Sequence, residues 1–340
     1  MNIAVLMGGI SPERNVSLRS GIAVTKALRE KGHNVIAIDP ALGVDCILDI
    51  DNLEIPNTFP TPEELELMSQ KNIIDSINSQ HFDNIDCAFI VLHGSCGEDG
   101  KVQGLLHLRG IKYTGSGVKA SAIAMDKRTS KLLFSLAGVL TPHWVMIDPN
   151  DENLMDRITE IKGNVGKEVV VKPNDGGSTI GLTIIKNGDV DEIYKAIKLA
   201  GEYSNEVMVE QFIEGRELTV TIIDNKAYPI IEIKPSEGFY DYSNKYTKGK
   251  TEYICPAEID ENETEFIQNM ALTAHRVVGC RGYSRIDFRL DDEHLAHCLE
   301  VNTVPGFTEL SLVPMAARAA GVDFGNLCEH LVNRGINYKN

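Results

Sequence analysis

Residues 283 to 290 read Tyr283-Ser284-Arg285-Ile286-Asp287-Phe288-Arg289-Leu290; a turn spans Asp291 to His294, and Leu295 to Asn302 returns. Apolar and polar residues alternate along both arms, which marks a pair of half-buried strands. With Leu290 paired to Leu295, Arg285 falls opposite Glu300. Arg285, Asp287, Glu300 and Asn302 then share one face, and Ile286, Phe288, Leu299 and Val301 take the other. Two carboxylates and an amide oxygen are hard ligands of the kind Mg²⁺ takes, with positions left for phosphate oxygens and water. A structural hairpin with a solvated acidic face has the same pattern, so the hairpin alone leaves both readings open.

A second element stands upstream: Val169-Val170-Val171-Lys172-Pro173-Asn174-Asp175-Gly176-Gly177-Ser178-Thr179-Ile180-Gly181. A lysine ending an apolar strand before a glycine-rich, hydroxyl-bearing turn offers a cation and backbone N–H groups to a polyphosphate. The G-x-x-x-x-G-K-[ST] pattern is absent, and an ordinary tight turn fits equally well. Lys127, in Met125-Asp126-Lys127-Arg128, reads by itself as a helix-surface lysine. Val207 to Glu217 is an apolar strand running into a polar turn. It suits either a linker that holds a base by backbone groups, with a carboxylate on the ribose, or an edge of the core.

Around these elements the chain divides into three. The first third alternates strand and helix: Ile3 to Leu6, a helix around Ser17 to Glu30, Asn34 to Ile38, an amphipathic helix Pro62 to Asn78, then Cys87 to Leu92. This rhythm predicts a parallel sheet, with Gly8-Gly9 and His93-Gly94 in turns at its carboxyl ends, where ligands sit. The expected units are 1–117, an α/β domain; 118–206, a compact α+β unit; and 207–340, rich in strands. The 340 residues suit such a multi-domain chain. The net charge of −16 argues against a general nucleic-acid or anionic-membrane surface. Seven cysteines without a C-x-x-C pair, no basic n-region before a long apolar stretch, and no apolar run of membrane-spanning length point to the cytoplasm.

Several motifs occur together and in order: Gly8-Gly9-x-Ser11-x-Glu13-Arg14-x-Val16-Ser17, His93-Gly94-x-x-Gly97-Glu98-Asp99-Gly100, Tyr113-Thr114-Gly115-Ser116-Gly117, Met125-Asp126-Lys127, Lys172-Pro173, Tyr240-Asp241-Tyr242, Lys245-Tyr246, Cys255-Pro256-Ala257, Arg285-x-Asp287 and Glu300-x-Asn302-Thr303-x-Pro305-Gly306. In these the chain resembles, essentially end to end, the D-alanine:D-alanine ligases of the ATP-grasp superfamily. The resemblance implies an ATP-grasp fold, α/β and α+β, with a Rossmann-like N-terminal parallel-sheet domain.

It also implies roles. Asp287, Glu300 and Asn302 would hold two Mg²⁺ or Mn²⁺ ions on ATP. Lys127 and Lys172 would bind its phosphates, Glu210 and Ile213 the adenine, Glu217 the ribose, and Lys245, on a mobile loop over 234–255, the γ-phosphate. Glu13 would hold the ammonium of the first D-alanine and His93 would lie near its carboxylate. Arg285 and the Gly306 backbone would meet developing negative charge. Ser311 and Leu312 would take the carboxylate of the second D-alanine, and Tyr246, Ser178 and Glu13 would close a hydrogen-bonded lid.

The implied reaction is ATP-dependent formation of D-alanyl-D-alanine through a D-alanyl phosphate, for peptidoglycan precursors, by a homodimer. Tyr246, where depsipeptide-forming relatives have histidine, implies a dipeptide product. Departures are Asn174-Asp175 before the glycine pair, Gln211 in the adenine strand, and a long segment from Val44 to Gln80. Other ATP-grasp carboxylate–amine ligases need Lys172, Asp287, Glu300 and Asn302 but not Glu13 or Tyr246. A nicotinamide enzyme is disfavoured because Gly8-Gly9-x-Ser11 is not G-x-G-x-x-G. A non-catalytic nucleotide-binding protein would tolerate loss of a metal ligand, and none is lost.

Overall fold

The computed structural model of the chain describes residues 1–56, 58, 60–177, 179–235 and 251–338. Strands β1 (Asn2–Leu6), β2 (Asn34–Ile38) and β3 (Cys87–Ile90) form the expected parallel sheet, in the order β2-β1-β3. Successive β1 residues enter different cores, Ile3 and Val5 one, Ala4 and Leu6 the other. A sheet covered on both faces needs such uniformly apolar strands. One cover is helix Arg14–Glu30, through Val24 and Leu28. Beside it lies the last helix of the chain, Phe324–Asn337, through Leu327, Leu331 and Val332. The opposite cover comes from helices Gln70–Asn78 and Lys101–Leu108.

The single helix expected over 62–78 is broken into Pro62–Glu66 and Gln70–Asn78. Ser69 causes the restart: it is extended, and its hydroxyl accepts from the Asn72 backbone N–H at 3.1 Å, capping the second helix.

Strands β4 (Trp144–Ile147), β5 (Val169–Pro173), β6 (Thr183–Ile185) and β7 (Val207–Gln211) form an antiparallel sheet ordered β4-β7-β5-β6. Thus Val207–Gln211, expected to open the third unit, is hydrogen-bonded between β4 and β5. Helices Leu154–Val165 and Val190–Gly201 bury Ile158, Ile161, Ile193 and Ile197 against this sheet.

The third sheet holds β8 (Arg216–Ile223), β9 (Lys226–Ala227), β10 (Ile231–Pro235), β11 (Thr251–Ile254), β12 (Tyr283–Leu290) and β13 (Ala296–Asn302). Its order is β11-β10-β8-β12-β13, with β9 on β8. Helix Glu261–Val278 lies on it. So do Ala120, Ala124 and Phe134 of helices Val118–Met125 and Lys127–Leu136, expected with the central unit. Of the loop expected over 234–255, Lys234 and Pro235 pair with Glu252 and Thr251 as strand; 236–250 lie outside the described residues.

The β12–β13 hairpin forms, in a different register. Leu290 pairs with Ala296, and a β-bulge lies between Asp287 and Phe288, whose partners are Glu300 and Cys298. Leu299 is the extra residue. Arg285 therefore faces Asn302, not Glu300, and Cys298 rather than Leu299 joins Phe288 in the core.

Candidate active site

The hairpin gathers its polar residues on one side. The Arg285 guanidinium donates to both oxygens of Asp287, Nε to Oδ1 at 2.9 Å and Nη2 to Oδ2 at 2.6 Å. Thr219, paired to Asp287 from β8, donates its hydroxyl to Oδ1 at 2.7 Å. The Asn302 amide reaches Asp287 Oδ2 at 3.0 Å and Glu300 Oε1 at 3.5 Å. Among the described residues no group of three or more His, Cys, Asp or Glu is placed to hold a metal. The set here is two carboxylates and an amide. Such all-oxygen donors fit a divalent cation that completes its shell with phosphate and water, and turning the amide would present Asn302 Oδ1.

Lys127 and Lys172 approach this patch from the side of the central sheet. Asp126 caps helix Lys127–Leu136 by accepting from the Thr129 N–H at 2.7 Å, which fixes where Lys127 starts. Lys127 Nζ donates to the Gly176 carbonyl and lies 3.9 Å from Glu300 Oε2. Burial pushes its ammonium below the usual lysine value, with Glu300 opposing and Lys172 reinforcing. Lys172, at the end of β5, is ion-paired to Glu210 of β7. Glu210 is also paired with Lys131 at 3.0 Å, so its carboxylate is turned under two lysines. Burial would raise Glu210, but Lys131 and Lys172 outweigh it and hold it below the usual carboxylate range.

Lys131 was missed in the sequence because a lysine reads as exposed. The available signal was its spacing. Lys127, Ser130, Lys131 and Phe134 are the buried residues of their helix, a stripe at i, i+3, i+4 and i+7.

Ile213 and Glu217 are held by Arg289, also missed. Its Nε donates to the Ile213 carbonyl at 3.1 Å, its Nη2 to the Gly215 carbonyl at 2.8 Å, and its Nη1 lies 3.5 Å from Glu217 Oε2. Gly215, at φ +129, is required there: a Cβ would stand 2.0 Å from the Leu290 carbonyl oxygen.

On the N-terminal side, Glu13 is the N-cap residue of helix Arg14–Glu30. Its carboxylate lies where a Cβ at Gly94 or Gly177 would intrude, 3.2 and 3.1 Å from Oε2. Both glycines thus make room for Glu13. The Ser11 hydroxyl donates to the His93 carbonyl at 2.7 Å, joining the two turns at the sheet's carboxyl end. His93 Nδ1 lies 3.6 Å from Glu98 Oε1. Burial disfavours the imidazolium, but Glu98 and then Glu13 outweigh it, so His93 titrates above the ordinary histidine value. Gly306 leads into Phe307, whose N–H donates to Ser20 at 3.2 Å. Ser311, the N-cap residue of helix Leu312–Ala319, accepts from the Thr308 N–H at 2.9 Å and lies 3.4 Å from a Cβ at Gly306. Leu312 is buried.

One cavity brings the three sheets' contributions together: Glu98 with Lys127, Gly176, Gly177, Glu300 and Asn302. A larger cavity of about 370 Å³ lies elsewhere, lined by Tyr228, Pro229, Pro256, Thr264 and Gln268 rather than by an expected site residue. Ser178, Lys245 and Tyr246 lie outside the described residues.

The family profile described as D-ala D-ala ligase N-terminus matches residues 2–116, and D-ala D-ala ligase C-terminus matches 133–333. A D-alanine–D-alanine ligase of Magnetococcus marinus is 40% identical over 331 residues, 97% of this chain and 96% of that protein. The D-alanine–D-alanine ligase of Bacillus anthracis superposes with a TM-score of 0.79 at 31% identity, covering 99% of this chain and 97% of the other. Its complex with ATP gives 0.76 at 29% identity, with the same coverage. The VanG D-Ala:D-Ser ligase of Enterococcus faecalis gives 0.76 at 31% identity, covering 98% of each chain. With both profiles matched and near-complete overlap at 40% identity, the chain belongs to the D-alanine–D-alanine ligase family and has its ATP-grasp fold.

Proposed function

We propose that this chain joins two D-alanine molecules at the expense of ATP, releasing D-alanyl-D-alanine, ADP and phosphate. The observation that carries the reading is the cavity lined by Glu300 and Asn302, Lys127, the Gly176-Gly177 turn and Glu98 of the N-terminal unit, with Asp287 hydrogen-bonded to Asn302 beside it. A carboxylate is a poor electrophile. In this reading the first D-alanine's carboxylate attacks the γ-phosphorus, ADP leaves, and an acylphosphate forms.

Lys127 and Lys172 bind phosphate oxygens, with Lys245 in the same role from the loop. Asp287, Glu300 and Asn302 would hold Mg²⁺ or Mn²⁺, which would supply charge neutralisation on the triphosphate. Ile213, Glu210 and Glu217 belong to the adenosine side.

Glu13 fixes the first ammonium and His93 lies by its carboxylate. The second D-alanine, its carboxylate received at Ser311 and Leu312, brings a free amine onto the acylphosphate carbon. The oxyanion meets the guanidinium of Arg285 and the Gly306 backbone, and phosphate departs as the amide forms. Tyr246 with Ser178 and Glu13 excludes water, which would otherwise hydrolyse the acylphosphate.

All seven cysteines are free thiols, which supports a reducing, cytoplasmic setting, and no described helix is long and apolar enough to cross a membrane. Family resemblance supports a homodimer, checked by sedimentation. The deciding experiment is ADP release with Mg²⁺ and D-alanine, beside L-alanine, D-serine and D-lactate, with products identified by mass. D-alanine alone should yield the dipeptide. Turnover with L-alanine but not D-alanine would replace this reading with another carboxylate–amine ligase.

A further inference from the structure

Lys131 is fully buried, yet it carries an ammonium group. Its partners leave it no path to a ligand: Nζ lies 3.0 Å from Glu210 Oε2 and donates to Thr141 Oγ1 at 2.6 Å, and that hydroxyl donates to the Cys298 carbonyl at 2.8 Å. These contacts join helix Lys127–Leu136 to β7 of the central sheet through Glu210 and, by way of Thr141, to β13 of the large sheet. On the other oxygen of Glu210 sits Lys172, the lysine that ends β5 before the glycine turn. One buried carboxylate thus serves two buried lysines.

We infer that Lys131 is a positioning residue for nucleotide binding: it keeps Glu210 paired so that Lys172 can leave that carboxylate for a phosphate group. The inference rests on the ATP-binding reading of this site and adds a residue that never touches the nucleotide.

The physical case is a count of charges. With Lys131 in place, the trio carries one net positive charge. When Lys172 turns to a phosphate, Glu210 still has a cation and a neutral pair stays behind. With Lys131 removed, Glu210 and Lys172 are a closed neutral pair. Moving Lys172 to the phosphate would then strand a buried carboxylate, and an uncompensated buried charge is the costly outcome. Lys172 would stay on Glu210. Burial pushes Lys131 below the usual lysine value, Glu210 opposes and Lys172 reinforces the shift, so the Glu210 pair is what favours its charged form.

The test uses full-length Lys131→Met, Glu210→Gln, the double variant and Lys131→Arg. ATP is titrated calorimetrically with Mg²⁺ in the absence of D-alanine, and KM for ATP, KM for D-alanine and kcat are measured separately. Lys131→Met should weaken ATP binding and raise its KM about tenfold or more, with KM for D-alanine within about threefold of wild type. Lys131→Arg, which keeps the cation, should restore most of the ATP affinity.

In the Glu210→Gln background no carboxylate remains to trap Lys172, so adding Lys131→Met should change ATP affinity little. An equal loss from Lys131→Met in both backgrounds, or wild-type ATP affinity in the folded single variant, would overturn the inference. Should Lys131→Met fail to fold, the comparison of Glu210→Gln with the double variant decides: equal affinities support the inference and a tenfold difference overturns it. Failure of the wild-type protein to bind ATP would instead sink the reading of the site itself.

Discussion

Arg285 grips Asp287 from two positions away on the same strand, with both prongs of its guanidinium on both carboxylate oxygens. The side chain assigned to developing negative charge is therefore also the one that fixes a proposed metal ligand. Lysine cannot reproduce a two-pronged pair. Arg285→Lys should lower kcat about 100-fold while the melting temperature moves little. Steady-state ADP release and a thermal scan check it; retention of wild-type kcat would remove Arg285 from the chemistry.

Glu300 is part-exposed, lies 3.9 Å from Lys127 and accepts from Asn302. No apolar core depends on it. Glu300→Gln keeps its shape and removes its charge, so turnover should be lost with the circular dichroism spectrum unchanged. Near-normal rates in this variant would refute the metal assignment.

His275 is fully buried against Ser284, with Nδ1 2.7 Å from the hydroxyl, and burial pushes its pKa down to about 4. An unfolded histidine protonates near pH 6.5. Between these values the unfolded chain binds a proton that the folded chain refuses, so stability falls as pH drops through this window. The loss is on the order of 3 kcal/mol. Urea unfolding of wild type and His275→Gln at about pH 7.5 and 4.5 measures it. The wild-type protein should lose more stability on acidification than the variant; equal losses would contradict the assignment.

Gly215 lets the chain pass the Leu290 carbonyl on the way from Ile213 to Glu217. Gly215→Ala puts a methyl group 2.0 Å from that oxygen, at φ +129. We expect destabilisation of about 3 kcal/mol or more, read as a lowered urea midpoint. Because Arg289 is anchored on the Gly215 carbonyl, the folded fraction should also bind ATP less tightly.

Much of the architecture was legible because it is local. The parallel strands declare themselves by apolar runs, and the hairpin by alternation of Ile286, Asp287 and Phe288. The bulge was not legible, because one inserted residue, Leu299, leaves the alternation on either side intact and only the pairing reveals it. The break at Ser69 escaped notice because apolar residues continue past it. Lys131 and Arg289 were invisible for another reason: their partners, Glu210 and the Ile213 and Gly215 carbonyls, lie on strands brought close only by the fold. Packing also crosses the seams between the expected units. Helices 118–136 and strand Val207–Gln211 pack across them.

The last helix, Phe324–Asn337, closes one face of the first sheet. A ribosome delivers the parallel strands long before that helix. Until it emerges, Ile3, Val5 and Leu28 lack the apolar partners Leu331 and Val332. The opening domain of the nascent polypeptide therefore cannot finish folding before Phe324–Asn337 has emerged, and removing that helix exposes the amino-terminal sheet.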